Sequence, residues 1–225
     1  IKEVARLSTS FQSLTKQLDK YLIELKDIIE KKSKLEQEIA IATQIQKNFI
    51  GSSSSTHPLS NSITPYINPA KKVSGDFYDI QYLDNETALI VIGDISGKGI
   101  SSSLFMATVL TLFRAYYNET DNLSDMVSKI NTELCKHNEH QLFSSAFIGI
   151  IHLPSGHINY VNAGHNSPVI ITNGRTTPLP SVNDIVLGVD DTHFYQTLSY
   201  QIPEESTVYL YTDGFISAEN NTSIQ

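Results

Sequence analysis

The chain has 225 residues, of which 40% are hydrophobic and 18% charged, and a formal net charge of −8. This acidic balance argues against a nucleic-acid-binding protein. The single cysteine, Cys135, excludes an internal disulfide and favours a reducing compartment, so we expect a cytoplasmic protein. No apolar run approaches the roughly 18 residues of a membrane span, and no signal-peptide pattern opens the chain.

Residues 1–50 contain neither proline nor glycine, and their apolar residues recur at alternating intervals of four and three. Such a 3.5-residue period, sustained for about six heptads, predicts a coiled coil because one face stays apolar and needs a partner helix. We expect a parallel homodimer through residues 1–50; an amphipathic helix packed on its own domain is the alternative. Lys32 and Gln46 interrupt the pattern with polar side chains. The apolar positions are Val4, Leu7, Phe11, Leu14, Leu18, Tyr21, Leu25, Ile28, Leu35, Ile39, Ala42 and Phe49.

The serine-rich stretch 51–60 predicts a linker, and residues 61–225 then form one domain. The two predicted helices are adjacent in sequence and most of the predicted strands are antiparallel, a pattern that predicts an α+β domain of stacked antiparallel sheets covered by helices. We expect a serine to cap the first helix and Asp121 or Asn122 to begin the second, which ends near His137. The predicted strands span 63–67, 77–83, 88–92, 144–152, 157–161, 168–172, 194–202 and 207–211, with hairpins at 153–156 and at Asn173-Gly174.

Three aspartates, Asp76, Asp94 and Asp213, each lie beside a glycine at the end of an apolar segment. One such aspartate is usually a turn former, but three in an acidic domain favour a cation site. If sheet pairing brings them together, the carboxylates repel one another unless cations intervene. Oxygen ligands select Mg²⁺ or Mn²⁺ over zinc, and a pair of such ions can activate a water and hold a phosphoryl group.

Other sites fit the sequence less well. No His-x-x-x-His pattern or cysteine pair is present for zinc. The Gly-x-Ser-x-Gly motif of many serine hydrolases is absent. Residues 93–98 read Gly-x-x-x-Gly-Lys after a predicted strand, but a P-loop needs four residues between its glycines and Ser or Thr after the lysine.

From about residue 35 to 219 the chain resembles the metal-dependent PPM-type (protein phosphatase 2C-like) serine/threonine phosphatases of the bacterial SpoIIE/RsbU kind. This resemblance implies a four-layer α-β-β-α sandwich of two antiparallel sheets, with two Mn²⁺ or Mg²⁺ ions at the sheet edges. The motifs that carry it are EIAIATQIQKNF, PAKKVSGDFYDI, IGDISGKGISSSLFMA, FSSAFIGII, GHINYVNAGHNSP and YLYTDGFISAEN.

The resemblance also implies roles for single residues. Asp94 would bridge the two ions, and the Ile95 backbone carbonyl, Asp76 and Asp213 would be further ligands. Lys71 and Lys98 become candidates for contact with the substrate phosphate, with exposed lysines of no special role as the alternative.

Two features depart from the family pattern. Ser96 stands where eukaryotic members carry a histidine proposed as general acid; His165 is either its replacement or a structural histidine. No Asp-Asp-x-Thr strand, which usually carries another metal ligand, follows Asp213. We therefore expect the phosphatase domain to be C-terminally incomplete.

The start of the chain resembles the second helix of a HAMP signalling module, on an acidic residue near its beginning, the spacing of Leu7 and Phe11, and the heptads beyond. This implies a membrane-anchored sensor upstream of Ile1, so that the chain is the cytoplasmic part of an inner-membrane protein.

The expected function is metal-dependent hydrolysis of phosphoserine or phosphothreonine in a bacterial partner-switching pathway, regulated through the coiled coil. The family resemblance implies a STAS-domain anti-sigma-factor antagonist as the phosphoprotein substrate. The alternative is a catalytically incomplete, dimeric signalling or docking module.

Overall fold

A computed structural model describes residues 2–50, 57–68, 74–97, 99–117, 122–136, 138–182 and 184–216, without the side chains of residues 2–10 and 13. The chain divides into two compact units, Ile1–Thr43 and Gln44–Gln225. Helix α1 spans Lys2–Phe49, so its last six residues belong to the second unit. Most of the predicted linker, residues 51–56, lies outside the described residues, and Pro58–Asn61 form a short 3₁₀ helix.

The first unit is a helix whose apolar face is exposed. The apolar heptad positions of residues 1–50 form one continuous stripe, which we call the seam. Those seam residues that can be described between Phe11 and Leu35 are all more than half exposed. Exposed ion pairs one turn apart, such as Lys20 with Glu24 at 3.8 Å and Asp27 with Lys31 at 2.7 Å, add only a few tenths of a kcal/mol each, roughly. An exposed apolar face of this length needs a partner helix to be buried. None of the helices among the described residues is both long and apolar enough to cross a membrane.

The second unit is built on two antiparallel sheets. The first has five strands in the order β1-β2-β3-β4-β7, and the second has three in the order β6-β5-β8. The strands are β1 Phe77–Tyr82, β2 Thr87–Ile95, β3 Ser144–His152, β4 His157–Ala163, β5 Val169–Thr172, β6 Arg175–Pro178, β7 Leu198–Gln201 and β8 Ser206–Tyr209.

Side chains on the two faces of the central strands pack into two separate hydrophobic cores. Helices α2 (Ile100–Tyr116) and α3 (Leu123–Lys136) pack on one face of the first sheet, where Val91 and Ile148 meet Phe113 and Ile130. Neighbouring residues point to the other face because successive strand residues alternate. There Phe147 lies in a second core with side chains from β4 and β5. The prediction of an α+β fold with two antiparallel sheets and a long N-terminal helix is confirmed. Besides α1, α2 and α3, the only α-helix among the described residues is the four-residue α4, Asp213–Ile216.

Several predicted elements are wrong in detail. The segment 63–67 is not a strand, because Pro65 offers no backbone N–H and Tyr66 is 84% exposed. Gly99, not a serine, is the N-cap of α2, and it makes no side-chain cap bond. The strand predicted over 194–202 is confined to β7, and β8 ends at Tyr209, so that Asp213 begins α4 rather than ending a strand.

Both predicted hairpins are confirmed. Residues 153–156 connect β3 to β4, and Asn173 and Gly174 connect β5 to β6 with φ of 51° and 74°, as a type I′ turn requires. Of the two candidates at the start of α3, Asn122 accepts a hydrogen bond at 3.0 Å from the Ser124 backbone N–H, while Asp121 lies outside the described residues.

Candidate metal centre

Three carboxylates converge at one end of the first sheet. One oxygen each from Asp76, Asp94 and Asp213 lies within 4.8 Å of the other two. Asp94 is the penultimate residue of β2, and Asp76 immediately precedes β1. Because Phe77 pairs with Gly93 in antiparallel register, Asp76 and Asp94 come to lie side by side. Asp213 reaches them from the start of α4.

Two glycines permit the close approach of these segments. A Cβ on Gly75 would lie 2.8 Å from Asp94 Oδ1 and 2.8 Å from the Ile95 carbonyl oxygen. A Cβ on Gly93 would lie 2.5 Å from the buried Phe77 ring and 2.5 Å from the Ser145 carbonyl oxygen. Neither position has room for a side chain, so glycine lets the backbone of residue 75 lie directly against the carboxylate.

The electrostatics of this cluster fit a bound cation. Burial raises the pKa of Asp94 to about 7, and the charge of Asp76, its hydrogen bond to Asp94 and the charge of Asp213 act in the same direction. The Ile95 backbone amide opposes this rise. Thr212 Oγ1 donates to Asp76 Oδ2 at 3.1 Å and so holds that carboxylate in place. Three oxygen-donor side chains with mutual repulsion are the donor set that a hard divalent cation prefers.

The other residues predicted for the site are placed as follows. The carbonyl oxygen of Ile95 lies beside Gly75, next to the carboxylate of Asp94. Lys71 and Lys98 lie outside the described residues. Ser96 is engaged in structure: its Oγ accepts from the Phe143 backbone N–H at 2.9 Å, and its own N–H donates to the Phe143 carbonyl at 2.8 Å.

His165 is buried beside the cluster, with 8% of its surface exposed. Its Nδ1 shares a hydrogen bond of 2.9 Å with Ser145 Oγ, and its backbone N–H donates to Asn162 Oδ1 at 2.7 Å. Burial lowers the pKa of His165 to about 4, although the Tyr211 carbonyl and Asp213 favour the protonated ring. A ring that is neutral at pH 7 has no imidazolium proton to give, which favours the structural role over the general-acid role.

The sequence did not predict the residues that hold the backbone on either side of Asp76. The Gln46 side chain is bound to the backbone of Ser74, two residues before Asp76. Arg114 binds Asp79 and the carbonyl of Phe49. The only sequence signal for Gln46 is a polar residue at an apolar position of the heptad pattern, and such a residue is equally compatible with a coiled-coil interface.

Solved structures identify the class of fold. The SiaA PP2C domain of Pseudomonas aeruginosa superposes with a TM-score of 0.68 at 16% sequence identity, over 82% of this chain and 74% of that one. The second unit therefore has the PP2C-type fold, with the three carboxylates at one end of its larger sheet.

Sequence comparison adds the family. Residues 84–224 match the family model described as Stage II sporulation protein E (SpoIIE), and the chain belongs to this family. Phosphoserine phosphatase RsbP of Bacillus subtilis is 30% identical over 79% of this chain and 45% of its own length. Protein IcfG of Synechocystis is 28% identical over 98% of this chain and 38% of its own length. The chain thus spans less than half of each of these two relatives, and the predicted family is confirmed.

Proposed function

We propose that the chain is a metal-dependent protein phosphatase that hydrolyses phosphoserine or phosphothreonine. The observation that carries this proposal is the convergence of Asp76, Asp94 and Asp213 at one end of a PP2C-type sheet. A relative named phosphoserine phosphatase supports the same class of reaction. The domain organisation proposed with it is a coiled-coil helix over 1–50, a linker over 51–60 and the phosphatase domain over 61–225.

The residues divide into ligands and groups that hold them. Asp94 would lie between two Mn²⁺ or Mg²⁺ ions, with Asp76, Asp213 and the Ile95 carbonyl as the other ligands of this chain. Such ions supply Lewis acidity and lower the pKa of a coordinated water. Thr212 orients Asp76 by its hydrogen bond, and Gly75 leaves space for the Asp94 carboxylate. Lys71 and Lys98 are proposed as contacts to the phosphate of the substrate.

The proposed substrate is the phosphorylated form of a STAS-domain anti-sigma-factor antagonist in a bacterial partner-switching pathway, with the cytoplasm as the location. This proposal is supported by the family and by the relative RsbP. The second candidate function is a dimeric docking module without turnover, and the exposed apolar positions of α1 are the observation that favours it.

Turnover should depend on the metal. Phosphate release from a phosphoserine protein in the presence of Mn²⁺ should fall more than about 100-fold after chelation with EDTA and dialysis, and added Mn²⁺ should restore it. Calorimetric titration of the dialysed chain with Mn²⁺ provides the binding curve. Unchanged turnover in the metal-depleted chain would contradict the proposed mechanism, and absence of both turnover and saturable binding would favour the docking module.

We further propose that residues 1–50 form a parallel homodimeric coiled coil that regulates the phosphatase. The exposed seam carries this part of the proposal, and it offers a matched test because Leu25 lies on the seam, 54% exposed, whereas Ile23 lies off it, 71% exposed. Leu25→Glu should raise the dimer dissociation constant by about tenfold or more, since it places a charge in the interface. Ile23→Glu should leave the sedimentation-equilibrium mass that of a dimer. Equal masses for the two variants would exclude this seam.

A further inference from the structure

Gln46 lies at a heptad position of α1, but unlike the exposed seam residues it is buried. Only 6% of its surface is exposed, whereas the seam residue Leu35, further up the helix, is 53% exposed. Gln46 also belongs to the second compact unit, which begins at Gln44. Burying a primary amide is costly unless its donor and acceptor both find partners. The hydrogen-bond partners of the Gln46 amide therefore indicate the structural role of this side chain.

Both ends of the Gln46 amide are bound to one residue. Gln46 Nε2 donates to the Ser74 carbonyl at 2.6 Å, and Gln46 Oε1 accepts from the Ser74 backbone N–H at 3.2 Å. This pair imitates the exchange of two hydrogen bonds between neighbouring strands. It fixes both the position and the direction of the backbone at residue 74, as a single bond would not.

Ser74 in turn holds the residue that follows Gly75. Ser74 Oγ accepts from the Asp76 backbone N–H at 3.1 Å. Between them, Gly75 lies directly against the Asp94 carboxylate, with no space for a Cβ. The segment 74–76 is thus held by Gln46 at its start and by the pairing of β1 with β2 at its end, where Phe77 lies opposite Gly93.

A second set of hydrogen bonds joins the end of the same helix to strand β1. Arg114 donates to the Phe49 carbonyl at 2.6 Å and to the two carboxylate oxygens of Asp79, at 3.0 Å from Nε and 2.8 Å from Nη2. Asp79 lies on β1, three residues after Asp76. The last turn of α1 is therefore bound to the chain before Asp76, at Ser74, and, through Arg114, to the chain after it, at Asp79.

We propose that Gln46 is a positioning residue for Asp76: it joins the last turn of α1 to the segment that presents this carboxylate to the metal. The inference rests on the proposed function for the role of Asp76 as a ligand. It assigns to Gln46 the second-layer task of holding a ligand in place, a task whose loss usually weakens metal binding by about 10–100-fold.

The test compares Gln46→Met with Gln44→Met in the full chain. Methionine has nearly the length of glutamine and favours a helix, so Gln46→Met removes the two hydrogen bonds with little change in shape. Gln44 is exposed, which makes it the matched control. Two quantities are measured: hydrogen–deuterium exchange of the backbone amides in the metal-free protein, and the Kd for Mn²⁺ by calorimetry.

In Gln46→Met, exchange should rise about tenfold at the Ser74 amide, which bonds to Gln46, and at the Asp76 amide, which bonds to Ser74 Oγ, while β3 and β4 keep their protection. The Kd for Mn²⁺ should also rise about tenfold. Gln44→Met should match the wild type in both. Unchanged exchange at residues 74 and 76, an equal rise across β3 and β4, or an unchanged Kd would overturn the inference. If wild-type protein binds no Mn²⁺, the proposed function fails, and the exchange measurement still decides whether Gln46 positions Asp76.

A second variant covers the case in which Gln46→Met does not fold. Ser74→Ala keeps both backbone bonds to Gln46 and removes the acceptor for the Asp76 N–H. It should raise exchange at Asp76 and the Kd for Mn²⁺ in the same direction as Gln46→Met. Wild-type values of both quantities in Ser74→Ala would also overturn the inference.

Discussion

Asp94→Asn should reduce Mn²⁺-dependent phosphate release to less than about one hundredth of the wild-type rate, because the amide replaces a carboxylate that lies within 4.8 Å of both Asp76 and Asp213 and whose pKa both of them raise. Steady-state turnover of a phosphoserine protein at saturating Mn²⁺ measures this loss. Asp125→Asn, an exposed substitution in the first turn of α3, is the matched control and should keep wild-type turnover. Equal rates in the two variants would remove Asp94 from the mechanism.

Although Asp94→Asn should lose turnover, it should stabilise the metal-free protein. The folded-state pKa of Asp94 is raised from 3.8 to about 7, so its contribution to stability is fully present below pH 3.8 and is lost as the pH rises through about 7. Asn at position 94 removes the ionisation and its repulsion. Urea unfolding in EDTA at pH 8 should therefore show Asp94→Asn to be more stable than wild type. A less stable Asp94→Asn would mean that this carboxylate stabilises the metal-free fold.

Arg114→Met should lower the free energy of unfolding by about 2–3 kcal/mol. The Asp79 side chain is only 3% exposed, and removing its partner leaves a buried carboxylate without its cation, a change that commonly costs roughly 3–5 kcal/mol. The expected loss falls at or just below the lower end of this range because the Arg114 side chain is 33% exposed and the pair is therefore partly screened. Urea denaturation at pH 7 measures the change.

Two further variants separate the buried charge from the size of the side chain. Arg175→Met on the exposed strand β6 is the matched control and should change the free energy of unfolding by less than about 0.5 kcal/mol. In the double variant Arg114→Met with Asp79→Leu, most of the lost stability should return, because neither charge remains buried. A double variant as unstable as Arg114→Met alone would mean that the contact with the Phe49 carbonyl, and not the ion pair, carries the effect.

The convergence of the three aspartates could be predicted because local signals were sufficient for two of them. Asp76 and Asp94 stand at the facing ends of strands that are consecutive in sequence, and consecutive strands commonly pair. Asp213 is more than a hundred residues away, and its neighbouring glycine and the apolar segment before it indicated a site residue without showing which strand ends it lies beside. Its actual position at the start of α4 was not predicted, because four residues are too few for helical periodicity to be visible.

The supporting contacts could not be predicted from the sequence. Gln46 fits the heptad spacing, and a periodic pattern does not show at which residue a helix begins to pack on its own domain. The bonds of Arg114 to Asp79 and Phe49 join residues 35 and 65 positions apart, a distance at which no local rule applies. The false strand at 63–67 shows the opposite error, since its apolar residues outweighed Pro65 in the prediction although proline lacks the donor that a paired strand needs.

The placement of Gln46 on the heptad pattern has a geometric consequence. Leu18 and Gln46 are four heptads apart on one continuous helix, α1. A straight α-helix drifts by about 20° per heptad relative to a supercoiled one, and so by about 80° over this interval. On an α-helix that is not supercoiled, a residue on the heptad pattern therefore does not keep the azimuth of residues four heptads away, so the pattern itself is compatible with a buried amide at Gln46.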